Sequence, residues 1–211
     1  MHRRLYGRAV PVQPGDLTAN ARIREAALEL FARDGVAATS MRSVAAKAHV
    51  SPSLVVHHFG TKARLRDAVD DAVLTAFRSA LGSTGLTGSP EEVSGRLNDA
   101  IASIIGGDHA VREYLGRSLF EGSDASQRLF DALSDLIVAG LAELEANGVV
   151  RRGTDPVWRA YAVLFIILGP VMLSRQVEAR LGVDAFDPEV VRVRSACNID
   201  LLRHGLFTDQ P

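Results

Sequence analysis

The sequence predicts an all-α protein: an N-terminal three-helix domain with a helix-turn-helix, then a larger C-terminal helical bundle. Three observations carry that prediction. Apolar residues recur at three- and four-residue spacing through most of the chain. Clusters of glycine, proline, serine and asparagine fall between these amphipathic segments rather than inside them. No alternating pattern of useful strand length intervenes. The 211 residues, 47% hydrophobic and 23% charged, suffice for one or two compact domains with a sizeable core and exclude disorder as the dominant state.

The first helix is predicted from about Leu17 to Asp34, with Ile23, Ala26, Ala27, Leu30 and Phe31 on one face and Gly35 as its left-handed C-cap. Thr39-Ser40 then form an N-cap pair before a short helix in which Val44, Ala45 and Ala48 are apolar. His49-Val50 make a tight break. Ser51 offers another N-cap, Pro52 suits the first helical position, and a third helix ends near Phe59 with Gly60 as its cap. Two short helices joined by so short a turn fit a helix-turn-helix, with Ala45 small enough for close crossing and Val50, Val55, Val56 or Phe59 supplying the apolar contact. Long amphipathic segments follow at 62–82, 90–106, 108–121, 123–147, 155–181 and 188–206, about nine helices in all. The chain divides as a basic tail over 1–16, a helix-turn-helix unit over 17–62 and a helical body over 63–211.

Charge is unevenly spread. Residues 1–62 carry nine basic and four acidic side chains, whereas the chain as a whole has a net charge of −1. A basic end suited to a polyanion and an acidic body follow from that split. The single cysteine, Cys197, excludes an intrachain disulfide framework and leaves too few thiols for a zinc finger or a CxxC centre. Adjacent His57 and His58 point about 100° apart on a helix, and neither His109 nor His204 has a ligand cluster in sequence, so no metal is expected. GxSxG, P-loop, dinucleotide and HExxH motifs are absent, so neither a catalytic constellation nor a cofactor is expected. The N-terminus lacks the apolar region of a secretory signal, and the apolar run Ala160–Leu173 is 14 residues, short of the roughly 20 that span a bilayer. A cytoplasmic protein with no membrane partner is the expectation.

The segment beginning IREAALELFARDGVAATSMRSVAAKAHVSPSLVVHHFGTK resembles the N-terminal domain of the TetR family of bacterial transcriptional regulators. The matching features are Ala26-Ala27, Leu30-Phe31, Gly35, Thr39, Val44-Ala45, Ala48-His49-Val50-Ser51, Val55-Val56-His57-His58-Phe59 and Lys62, in order and at the family's spacing. Two residues depart from the pattern. His49 stands where the family has glycine, a substitution that a turn at positive φ tolerates at modest cost. Val56 replaces a tyrosine whose hydroxyl reaches a phosphate, so one backbone contact is expected to be missing. The resemblance implies phosphate contacts from Lys62 and His58, a cap or phosphate contact from Thr39, and major-groove readout by Arg42, which could equally bind a phosphate. Pro52, Ser53 and Leu54 would open the recognition helix against the bases, with His57 facing either a base or solvent. Arg3, Arg4 and Arg8 could track DNA or form a plain mobile terminus.

The same resemblance implies a small-molecule inducer in the body and dimerisation through the last two helices. Leu164, Leu168, Val171, Val190, Val193, Ser195 and Leu201 are available for that seam, or for intrachain core. Candidate ligand contacts are His109, Tyr114, Arg117, Phe120, Phe130, Trp158, Tyr161, Phe165 and Met172, which could equally be core packing. The apolar balance suggests a largely hydrophobic ligand, with Arg117 available for an anionic group. The leading expectation is a homodimeric, ligand-responsive regulator, most simply a repressor, on a pseudo-palindromic operator in double-stranded DNA. The alternatives are a helical small-molecule binding protein with a degenerate DNA head and an all-α enzyme.

Overall fold

The computed structural model describes residues 14–152 and 155–204, with side chains over 18–152 and 155–203. The described residues form ten helices and no strand: α1 (Pro14–Asp34), α2 (Met41–Lys47), α3 (Pro52–Phe59), α4 (Lys62–Ser83), α5 (Pro90–Gly107), α6 (His109–Phe120), α7 (Asp124–Ala146), α8 (Pro156–Met172), α9 (Ser174–Leu181) and α10 (Pro188–His204). Arg3, Arg4 and Arg8 of the expected tail lie outside the described residues.

The head forms as its pattern requires. Ile23, Ala26, Ala27, Leu30 and Phe31 are all buried on one face of α1, and Gly35 closes the helix at φ +84. Val44 and Ala45 of α2 and Val55 and Phe59 of α3 complete a three-helix core. The turn between α2 and α3 is held by the Val50 amide donating to the Ala45 carbonyl at 3.0 Å, and His49 takes φ 54, the left-handed conformation the turn demands. Gly60 ends α3 at φ 69. Val56 contributes nothing to the crossing, since it is 51% exposed on the outer face of α3.

Thr39 does not cap α2. Ser40 does, in a reciprocal box with Ser43, while Thr39 is buried and its hydroxyl donates to the Gly35 carbonyl at 2.8 Å. Once Gly35 has turned the chain, the next inward side chain meets the unsatisfied end of α1 and spends its donor there.

The body differs from the expected nine helices at one place. The segment 155–181 is two helices, whose axes bend by 65° between Met172 and Ser174. Pro170 has no amide for the carbonyl one turn back, and the chain leaves helical geometry at Leu173 (φ −115), which still closes on Gly169. Composition changes at the same point: α8 buries Ala160, Leu164, Leu168 and Val171, whereas α9 buries none of its residues. One hydrophobic core runs from Ile23 through Val171, because α1 lies along α6 and α4 joins both halves. Among the described residues no single helix is long and apolar enough to cross a membrane.

Candidate functional site

The helix-turn-helix presents a polar, acid-free surface. Residues 35–66 contain no aspartate or glutamate, and Arg42, Lys47, Lys62, Arg64 and Arg66 are all basic. Arg42 is exposed on α2, and Ser53 and His57 are exposed on α3 with Leu54 half-buried between them. Ser51 caps α3 by accepting from the Leu54 amide at 3.2 Å, and its hydroxyl lies 2.9 Å from that of Ser53. Pro52 follows that cap in the first turn, so the N-terminal end of α3 is both rigid and accessible.

Of the three residues that the family pattern assigns to phosphates, Thr39 and Lys62 already donate within the chain. The Thr39 hydroxyl is internal, as described. Lys62 donates through Nζ to the carbonyls of Ala37 and Thr39, both at 3.0 Å, and so ties the α1–α2 loop to the start of α4. An ammonium has three donors, so one remains for an outside acceptor. His58 is half-buried against His57 and Phe59, and its Nε2 is out of solvent without a hydrogen-bond partner. A phosphate contact from His58 would have to use Nδ1.

The body holds a cavity of about 780 Å³ between α4, α5, α7, α8 and α10. Its walls are aliphatic, with Leu97, Ile101, Leu136, Ile137 and Ile167 prominent, and a few polar groups interrupt them. None of the nine ligand candidates chosen from the sequence lines it. Those candidates were aromatic or charged, but in a bundle the wall of an apolar cavity is built from ordinary aliphatic side chains, which carry no distinguishing signal.

Residues 23–69 match the pattern described as "Bacterial regulatory proteins, tetR family", and residues 108–208 match "Tetracyclin repressor-like, C-terminal domain". The chain belongs to the TetR family. It is 35% identical over 158 residues to the HTH-type transcriptional regulatory protein RaaS of Mycobacterium tuberculosis, covering 75% of this chain and 71% of that one. An HTH-type transcriptional repressor of the same organism is 48% identical over 85 residues, 40% of this chain and 43% of its own. Among solved structures, FadR from Bacillus subtilis in complex with stearoyl-CoA superposes with a TM-score of 0.71 at 16% identity over 89% of this chain and 99% of that one. The fatty acid degradation regulator FadR from Bacillus halodurans gives 0.71 at 17% identity over 93% and 98%. At such identities the structural likeness concerns the fold. The TetR-family membership makes this chain a DNA-binding transcriptional regulator.

The remaining ligand candidates of this TetR-family chain have structural positions. Tyr114 is fully buried, stacks on Phe31 at 6.4 Å, and donates its hydroxyl to Asp70 at 2.6 Å. Burial, then the neighbouring carboxylate, pushes the Tyr114 pKa far above that of an ordinary phenol. Arg117 donates Nε to the Ala32 carbonyl at 3.0 Å and a terminal nitrogen to the Arg33 carbonyl at 3.2 Å, satisfying the end of α1. It therefore holds the head, and it borders the cleft between α6 and α9 rather than the apolar cavity. His109, Phe120 and Met172 border an open, polar cleft between α6 and α9. Trp158, Tyr161 and Phe165 run along the outward face of α8, with Tyr161 against Phe130 at 5.6 Å. Trp158 and Phe165 are 67% and 54% exposed.

Sequence reading missed the cluster beneath α1. Arg66 is buried, pairs with Glu121 at 2.7 Å, and lies 3.9 Å from Asp70. The i,i+4 spacing of Arg66 and Asp70 was visible, but a solvated helix pair has the same spacing. Among the described residues no group of three or more potential metal ligands comes together.

Proposed function

We propose that this TetR-family regulator is a homodimeric repressor, not an enzyme, which binds a pseudo-palindromic operator and is released by a small, largely apolar molecule in the body cavity. The observation that supports ligand control is that one helix serves both ends. Arg112 of α6 donates to the Ile105 and Gly106 carbonyls at 2.7 and 2.9 Å, at the cavity wall, and Arg117 one and a half turns later grips the end of α1. A ligand that moves the end of α5 therefore acts on a lever already attached to the DNA head, and it shifts operator affinity by its preference between the two settings.

In this reading the DNA-binding unit spans residues 17–62 and the ligand and dimer unit 63–211, with Arg42, Pro52, Ser53, Leu54 and His57 at the bases and Lys62 at the backbone. FadR of Bacillus subtilis, solved with stearoyl-CoA, supports a ligand with a long apolar portion. The dimer is formed in part by the outward aromatic face of α8. The seam expected at Leu164, Leu168, Val171 and Ser195 is instead internal, because those residues are buried within the chain. Val193 and Leu201 of α10 remain exposed and available. Exposed rings at Trp158 and Phe165, on either side of the half-buried Tyr161, are unusual for a lone chain and are satisfied by a second copy.

Selection of bound sequences from random duplexes, followed by salt titration of the winner, tests the reading. An enriched inverted repeat with a steep salt slope is expected. Arg42→Ala should relax one base position at a cost of about 1–3 kcal/mol, whereas Lys62→Ala should weaken all sequences alike. A folded protein that enriches no sequence would overturn the DNA assignment and favour the ligand-binding alternative, with Val56 the first residue to restore to tyrosine.

A further inference from the structure

Four arginines border the apolar cavity, and they are not equivalent. Arg159 is paired with Glu145 at 2.8 Å, Arg203 faces Glu91 at 3.6 Å, and Arg151 is exposed to solvent. Arg194 of α10 is half-buried and, among the described residues, has no carboxylate partner. Its one hydrogen bond runs from a terminal nitrogen to the Ala185 carbonyl at 2.7 Å. Burial alone pulls its pKa below the usual guanidinium range, with no anion opposing the shift. Because a guanidinium stays charged at any ordinary pH, that desolvation is met, among the described residues, by a carbonyl and a nearby ring and by no opposite charge.

The surroundings sharpen the point. The Arg194 guanidinium lies 5.3 Å from the centre of the Phe186 ring, and that of Arg112 lies 4.4 Å from the same ring. Phe186 and Arg112 line the neighbouring cleft between α6 and α9, together with Glu113, Glu178 and Asp184, so that Arg194, and not Arg112, borders the apolar cavity. One turn along α10 from Arg194 is Asn198, and Asn98 of α5 borders the same space, in a wall made largely of aliphatic side chains. An apolar cavity with a few polar groups in its wall selects an amphiphile and fixes its orientation.

We infer that Arg194, with Asn198 and Asn98 in the same cavity wall, seats the anionic head of an apolar-chain ligand whose tail fills the aliphatic part of the cavity. This rests on the ligand-responsive reading above and takes over the anion-binding role that the sequence had assigned to Arg117. A free carboxylate puts the negative charge directly at the end of the apolar chain, whereas an acyl thioester is itself neutral and carries its negative charge farther out, on the phosphates of the carrier.

The test is calorimetric titration of the full-length protein with laurate, with dodecanol as its uncharged counterpart, and with lauroyl-CoA. Arg194→Gln should weaken laurate binding by about 10- to 100-fold, the range of a hydrogen bond to a charged group, and leave dodecanol unchanged. Arg194→Lys, which keeps the charge, should restore much of the preference for laurate over dodecanol, showing that a folded cavity with a cation at this position is sufficient. If lauroyl-CoA outcompetes laurate and shows the same dependence on Arg194, a carrier phosphate is the anion; if laurate is the tighter of the two, the carboxylate of the free acid is. Equal losses on laurate and dodecanol, or none on either anion, would overturn the assignment. Wild-type protein that binds none of the three would overturn it together with the apolar-ligand reading, whereas operator selection reports separately on the DNA head.

Discussion

Tyr114 shows how much one side chain decides. It fills the junction of α1, α4 and α6, and its hydroxyl is the shortest tie to the buried carboxyl of Asp70. Tyr114→Phe leaves that carboxyl without its donor and should cost about 1–3 kcal/mol, read as a lower urea midpoint with an unchanged m-value. Asp70 itself is held above the ordinary aspartate pKa, chiefly by burial, against the opposing pull of Tyr114 and Arg66. A carboxyl whose folded pKa is raised contributes stability that is complete below its unfolded value near 3.8 and fades as the pH climbs through the folded one. Wild type should therefore lose stability relative to Asp70→Asn as the pH rises across that range. Urea titrations at a series of pH values give the difference, and a flat line would mean that Asp70 titrates alike in the folded and unfolded chains. At His49 the backbone sits at φ 54, so His49→Gly should stabilise the protein by up to about 1 kcal/mol and leave operator specificity unchanged.

In the proposed mechanism, helix α6 is the element on which regulation turns. It packs along α1 over much of its length, and its two arginines reach backbone carbonyls at opposite ends of the mechanism. Arg117→Ala removes the grip on α1 while leaving the cavity intact. The expected outcome is a modest loss of stability, about 1 kcal/mol, and an operator affinity that responds less to ligand. Unchanged ligand response in a gel-shift titration would move the coupling to α4, which also touches both halves. The α8–α9 break belongs to this scale as well. Pro170 and the polar sequence of α9 were both legible, yet the position of the bend at Leu173 depends on which carbonyls the neighbouring chain leaves free.

At the scale of the whole molecule, two half-sites require two heads at a fixed spacing, and a single short recognition helix reads too few base pairs for tight binding. In the dimer proposed above, the outward face of α8 is the surface that brings in the second head. Phe165→Asp, on an exposed ring outside the chain's own core, should leave folding intact and convert the dimer to a monomer in analytical ultracentrifugation, with a large loss of operator affinity. A dimer that persists would place the interface on Val193, Leu201 and the rest of α10. The acid-free run over 35–66 and the more acidic remainder of the chain let such a dimer approach DNA in one orientation.

The sequence by itself determined the all-α class, the head with its core at Ile23, Ala27, Phe31, Val44 and Val55, the left-handed turn at His49 and the family, because each follows from periodicity, capping or spacing within a few residues of itself. Tertiary structure alone decided the rest. Lys62 and Arg117 are polar residues whose partners lie on other segments of the chain, up to 85 residues away, so no local pattern could show that donors of each were already engaged. The faces of α8 were likewise undecided in sequence, since a helix apolar on most sides gives no sign of which stripe its own chain covers and which it leaves for a partner. The ligand cavity stayed hidden for the same reason. A space is bounded by side chains from five helices, and only their packing shows that common aliphatic residues enclose it and that one unpaired arginine stands in its wall.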